Sequence, residues 1–151
     1  MPRLRLRTAL PVAFGLALGA AVGLGLYTFV YAKGYSYLLD DPAACANCHV
    51  MNPQFDAWIK SSHHAVATCN DCHTPHGLVG KYVTKAVNGW NHSLAFTTGS
   101  FDEPIRATAM NERVARQACA KCHQPILDSM HITSDDPRDC VQCHDAVGHP
   151  L

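Results

Sequence analysis

The sequence predicts a mostly α-helical and irregular domain carried behind one N-terminal transmembrane helix. Three observations predict it. A long apolar run lies near the N-terminus, all eight cysteines fall into one repeated motif, and the rest is short amphipathic segments punctuated by Pro, Gly and Asp.

The apolar run comes first. From Thr8 to Ala32 there are 25 residues without a charge. As a helix this run is about 37 Å long, enough to cross a hydrocarbon layer of about 30 Å. Arg3, Arg5 and Arg7 precede it and only Lys33 follows closely. The positive-inside rule therefore puts the N-terminus in the cytoplasm and the remainder outside. Val30-Tyr31-Ala32 has the small-residue character of a signal-peptide cleavage site, but the apolar part of a signal peptide runs only about 7 to 15 residues. The expectation is an uncleaved single-pass anchor over residues 1–33, held in membrane lipid, and an external domain over residues 34–151. Gly15, Gly19 and Gly23 recur every four residues, a small-xxx-small face that would allow self-association, although glycine is common in such helices for other reasons. Beyond residue 33 there are eight Lys/Arg against twelve Asp/Glu, a net of −4. An acidic domain is no partner for nucleic acid, whose phosphates need a basic face.

The cysteines account for themselves completely. Cys45-Ala46-Asn47-Cys48-His49 and Cys69-Asn70-Asp71-Cys72-His73 are the first two copies of C-x-x-C-H, and Cys119-Ala120-Lys121-Cys122-His123 and Cys140-Val141-Gln142-Cys143-His144 the others. This is the attachment signature of haem c. Two thiols at this spacing reach the two vinyl groups of one porphyrin, and the adjacent imidazole reaches its iron. Zinc ribbons also use paired C-x-x-C units, but a zinc ribbon has no reason to place histidine after every pair. Four covalently bound haems in about 118 residues leave roughly thirty residues for each. The porphyrins must then serve as the core, which makes the fold class a mostly α/irregular multihaem cytochrome c domain. The apo chain is not expected to fold stably.

Between the motifs, Asn52-Pro53 reads as a helix start, with Phe55, Trp58 and Ile59 as its apolar stripe. Pro75 and Gly77 mark a turn. A longer amphipathic helix is expected from about Leu78 to Leu94, with Val79, Tyr82, Val83, Val87 and Trp90 on an apolar side. Asp102-Glu103-Pro104 and Asp135-Asp136-Pro137 are expected to open two further helices. The motifs fall in pairs, 21 residues from Cys48 to Cys69 and 18 from Cys122 to Cys140, which suggests a duplicated two-haem unit.

A low-spin iron takes a second ligand from elsewhere in the chain. Six histidines lie outside the motifs, His63, His64, His76, His92, His131 and His149, and Met51 gives the first motif the form C-x-x-C-H-x-M. A methionine ligand raises the potential of the haem it binds. On the helix after the second motif, Lys85, Asn88 and His92 fall at i, i+3 and i+7, hence on one face.

The segments CANCHVMNP from Cys45, Trp58 with Ser61-Ser62-His63, CNDCHTP from Cys69 and KYVTKAVNGWNHSLAFTTG from Lys81 to Gly99 closely resemble the small tetrahaem quinol dehydrogenases of the NapC/NrfH family. The likeness covers Tyr35 to His149 together with the single anchor, and the short length and the CHVMNP segment favour the NrfH-type branch. The resemblance implies a protein of the bacterial inner membrane with its haem domain in the periplasm. It implies that Met51, in place of His49, binds the first iron, whose open face receives menaquinol. It further implies His64 as the distal ligand of the third haem opposite His123, with a one-residue ambiguity from His63, and His149 as that of the second haem opposite His73. The fourth haem has His144, with a distal ligand from a partner or from His131. A lysine beside the first haem matches Lys85, and His92 stands where some members have an aspartate. Histidine suits a proton acceptor, since its pKa lies near 6.5. For Lys81 and Lys85 an interfacial anchoring role is the competing reading.

The resemblance thus implies a quinol-oxidising subunit that relays electrons through four haems to a periplasmic reductase, above all cytochrome c nitrite reductase. The alternative is a general NapC-type donor to another reductase, such as a nitrate reductase. Four ordinary motifs argue against a terminal reductase, and the membrane helix argues against a simple storage cytochrome.

Overall fold

A computed structural model describes residues 2–132 and 140–149 of the chain. The chain falls into two compact units, Met1–Tyr35 and Ser36–Leu151. Helix α1, Pro2–Tyr31, makes up most of the first. Its stretch Arg7–Tyr31 has a mean hydropathy of 2.0 and none of it is buried against protein. Leu10, Phe14, Leu16, Leu24 and Tyr31 are all exposed. A helix that is apolar all round and uncovered by its own chain requires lipid as its solvent. Tyr27 and Tyr31 stack one turn apart at its end, with ring centroids 5.8 Å apart, in the manner of aromatic residues at a membrane boundary.

The second unit is helical and irregular, as expected, with no strand among the described residues. After a 3₁₀ turn at Gly34–Leu38 come α2 (Pro42–Cys45), a 3₁₀ turn at His49–Met51, α3 (Asn52–Ile59), α4 (Cys69–His73), α5 (Leu78–Thr98), α6 (Ala109–Ser129) and a 3₁₀ turn at Cys140–Gln142. Helix α3 begins at Asn52-Pro53 as read from the sequence, because proline loses nothing in a first turn whose N–H groups have no helical partner. Helix α5 runs four residues past its expected end and stops at Gly99, whose φ of 70° is a left-handed cap that favours glycine.

Three expectations need comment. The helix expected from Asp102-Glu103-Pro104 begins later, at Ala109, because Thr108 is the better cap. Its hydroxyl accepts the Asn111 N–H, and Glu112 places a negative charge in the first turn. The expected apolar side of α5 does not face inward. Val79 and Trp90 are 80% and 71% exposed, while Thr84 and Lys85 are buried. The periodicity identified a stripe correctly, but polar links hold the opposite side of the helix to its neighbours. The segment Asp135-Asp136-Pro137 lies outside the described residues.

Packing is led by α4 against α6. The buried apolar residues among those described are only Val114, Ala118 and Ala120. Much of the order is polar instead. Asp40, just ahead of α2, accepts from Lys81 and from Lys85, the latter at 3.0 Å, and from Asn70 Nδ2 at 2.8 Å. One carboxylate therefore ties the approach to the first motif to both α4 and α5. These bonds, to Lys81 first and Lys85 second, lower the Asp40 pKa to about 2. A carboxylate with a folded-state pKa below its unfolded value near 3.9 stabilises fully above that value and loses the contribution as pH falls. The Asp40 link should therefore weaken between about pH 4 and pH 2. In an acid titration followed by circular dichroism, Asp40→Asn should start less stable than the native chain at pH 6, and the two should converge near pH 2.

Candidate haem-binding and redox site

Each attachment motif is positioned by its own local device. Helix α2 starts at Pro42 under an Asp41 cap, with the Ala43 N–H donating to Asp41 Oδ1 at 2.9 Å, and ends on Cys45. The 3₁₀ turn that follows leaves Met51 half-buried and His49 exposed. Helix α4 is the second motif itself. Thr68 and Asp71 close a capping box there, the Thr68 N–H donating to the Asp71 carboxylate at 2.8 Å and its hydroxyl at 2.7 Å. The third motif lies on α6, which breaks at His123 (φ −102°, ψ 15°). Pro125 has no N–H for the Lys121 carbonyl and crowds it, so the helix turns just where the motif ends. In the fourth motif the His144 N–H donates to the Cys140 carbonyl at 3.0 Å.

All eight cysteines are free thiols. The sulfurs of Cys45 and Cys69 lie within hydrogen-bond reach, and this contact together with burial pushes the Cys69 thiol up. Cys72 in turn feels Cys122. The first motif thus neighbours the second, and the second neighbours the third.

Two motif histidines face a second imidazole. The rings of His73 and His149 are nearly parallel, 7° apart in plane, with centroids at 5.8 Å. Those of His123 and His63 are 6.2 Å apart at 66°. Two imidazoles on opposite sides of one metal, each bonded at about 2 Å, have centroids roughly 6 Å apart, so both pairs fit a shared iron. Desolvation, with help from His149, holds the His73 pKa below 6.5 and keeps its ring neutral, as ligation requires. The His63 Nδ1–H donates to the Val147 carbonyl at 2.9 Å. Such a bond fixes the tautomer and leaves Nε2 as the donor to a metal. His64 instead packs edge-on against Trp58, centroids 4.7 Å apart. The geometry therefore sets His63 opposite His123, the other member of the ambiguous pair. Among the described residues no ring contact joins a second imidazole to His49, His131 or His144. Arg116 Nε is buried without a partner, a cation well suited to a haem propionate. The sparse apolar core, the facing rings and this guanidinium all fit haem c.

The face of α5 divides among three tasks. Lys85 is 7% exposed and donates to the Leu39 carbonyl at 2.6 Å as well as to Asp40. Its charge still reaches Cys45 of the first motif. Asn88 is paired with Asn111 of α6 through two reciprocal amide bonds of 3.0 and 3.1 Å. His92 is exposed, and its Nδ1 lies 2.7 Å from the Tyr37 hydroxyl. Sequence reasoning did not single out Tyr37. The two residues are 55 positions apart, and the only hint was an aromatic residue shortly before the first motif.

A single lipid-requiring helix and four haem-attachment sites strung along a helical domain define a membrane-anchored tetrahaem c-type cytochrome. The chain belongs to the NapC/NirT cytochrome c family, whose N-terminal region matches residues 7–151. It is 40% identical to the cytochrome c-type protein NrfH of Wolinella succinogenes over 85% of this chain and 81% of the relative. It is 33% identical to the cytochrome c nitrite reductase subunit NrfH of Nitratidesulfovibrio vulgaris, over 92% and 86%. Among solved structures, a chain of the cytochrome c nitrite reductase NrfHA complex bound to the HQNO inhibitor is similar with a TM-score of 0.64 and 31% identity, over 89% of this chain and 90% of that one.

The Asn88–Asn111 pair is read here as a clasp between α5 and α6. Asn88→Ala leaves the Asn111 amide without its partner and should cost about 1–3 kcal/mol. Chemical denaturation of the haem-loaded protein checks this, and Asn88→Ala with Asn111→Ala should cost less than the sum of the single changes.

Proposed function

We propose that this chain is the quinol-oxidising subunit that feeds electrons to a periplasmic cytochrome c nitrite reductase. The observation that carries the reading is the run of neighbouring motifs from the first to the third, Cys45 beside Cys69 and Cys72 near Cys122. The NrfH relatives and the NrfHA complex support the partner. Arg3, Arg5 and Arg7 ahead of the uncharged run Thr8–Ala32 support a periplasmic haem domain, and the open glycine face at Gly15, Gly19 and Gly23 would allow two anchors to pair.

In this reading the haems supply one-electron chemistry, and the chain supplies ligands, spacing and a path for protons. Met51 would hold the first iron. His73 with His149 would hold the second, His123 with His63 the third, and His144 the fourth. His63 is preferred to His64 because its Nδ1 is already committed to Val147 and its ring faces His123. Quinol docks beside the first motif, where three groups of the chain converge. Lys85, fixed by Leu39 and Asp40, brings positive charge toward the oxygen that loses a proton. Asn88 holds α5 in place, and His92 receives the proton.

Purified in mild detergent, the protein should bring a nitrite reductase with it and couple oxidation of a menaquinol analogue to nitrite consumption. Co-purification with a nitrate reductase alone would move the assignment to the general NapC-type donor. His63→Ala should convert one of four haems to a high-spin spectrum with all four still attached, whereas His64→Ala should leave the spectrum unchanged. The opposite result would restore His64 as the ligand.

A further inference from the structure

Oxidising a quinol separates protons from electrons, so the site needs a group that can take the proton where the electron leaves. Tyr37 and His92, 55 positions apart along the chain, come together to make one contact. Tyr37 arrives on the 3₁₀ turn Gly34–Leu38, and its ring lies across Gly89 of α5 at 3.6 Å from where a side chain would begin. One turn further along α5, His92 Nδ1 meets the Tyr37 hydroxyl at 2.7 Å. Tyr37 also lies close enough to Cys45 and Cys48 to feel their charge, whereas His92 feels neither. The order in space is therefore first motif, phenol, imidazole. Both rings remain open to a third molecule, Tyr37 being 40% exposed and His92 exposed as well.

We infer that Tyr37 and His92 form a two-residue proton relay for quinol oxidation, with the phenol oxygen in contact with the quinol and His92 behind it. This rests on the quinol site proposed above. The quinol O–H breaks as its proton moves to Tyr37 Oη, while the Tyr37 O–H breaks as that proton moves to His92 Nδ1. The electron would leave in the same event for a haem held at the first motif. Tyr37 is restored and His92 becomes an imidazolium, which releases its proton to solvent before the second proton follows by the same route. The ionisation constants agree with these roles. Burial first, and then Cys48 and Cys45, push the Tyr37 hydroxyl up to about 12. Tyr37 therefore stays protonated and passes protons without resting as a phenolate. Desolvation lowers the His92 pKa, so the ring is neutral and ready to accept at neutral pH and gives the proton up readily afterwards. The thioether form of the two cysteines carries no charge, and burial alone then keeps the phenol protonated.

The test uses the full-length, haem-loaded protein in complex with its reductase. Reduction of the haems by a menaquinol analogue is followed by stopped flow in the native protein, Tyr37→Phe, His92→Ala and the double variant. Haem content and HQNO binding report whether the pocket is intact. The relay predicts that each single change slows haem reduction about 100-fold, with HQNO affinity lowered by about tenfold at most, the worth of one hydrogen bond, and four haems retained. Because the two residues act in series, the double variant should be no slower than either single one. A slow His92→Ala with a normal Tyr37→Phe would overturn the relay and leave the quinol site standing. Losses that multiply in the double variant would assign the residues separate roles and also overturn it. Loss of HQNO binding or of haem in Tyr37→Phe would make Tyr37 a packing residue, again overturning it. Native rates in every variant would remove His92 from the quinol site and the relay with it.

Discussion

The shortage of apolar core governs the rest of this structure. Among its described residues the chain buries one valine and two alanines as its apolar interior, far too little to offset the conformational entropy of a domain this size. Order has to come from groups that tie the chain at points. Four porphyrins, each tethered by two cysteine sulfurs, supply those points and add apolar surface to the core. The protein's own contribution is a small set of polar links that carry each motif to its place. Asp40 gathers Asn70, Lys81 and Lys85. Asn88 and Asn111 join α5 to α6, and Thr68 with Asp71 starts α4. None of these is strong alone, and exposed ion pairs rarely are. Together they decide where the tethered groups lie.

This division of labour explains what could be read from residues alone. Haem attachment is covalent chemistry, and it demands the same residue types at the same spacing each time. Cys45 to His49 and its three copies were therefore legible at once. The membrane helix was legible because lipid imposes length and neutrality on α1. Asn52-Pro53 and Gly99 were legible as helix ends because backbone sterics are local. Partners set by distant segments were another matter. Nothing in the order Ser62-His63-His64-Ala65 says which ring turns toward His123, since that depends on the Val147 carbonyl 84 residues away. The pairing of Tyr37 with His92 is equally non-local. The apolar stripe of α5 shows the limit of periodicity, which finds a face and cannot say what the face meets.

In the proposed function, electrons and protons take different materials through the molecule. The electron path follows the motifs, the first three of which neighbour one another. The proposed proton path runs through Tyr37 and His92 beside the first motif. Separating the two there would leave the other motifs free of proton transfer.

The fold-back of the segment after the fourth motif has a consequence for the second and third motifs. Val147 meets His63 and His149 faces His73, so residues that follow all four attachment motifs complete arrangements around the second and third. A chain cut after His144 would retain all four attachment sequences and could be fully loaded with haem. It would still lack Val147 and His149, and with them the contacts made to His63 and His73. Colour and haem content alone would therefore not tell such a chain from one whose middle motifs are complete.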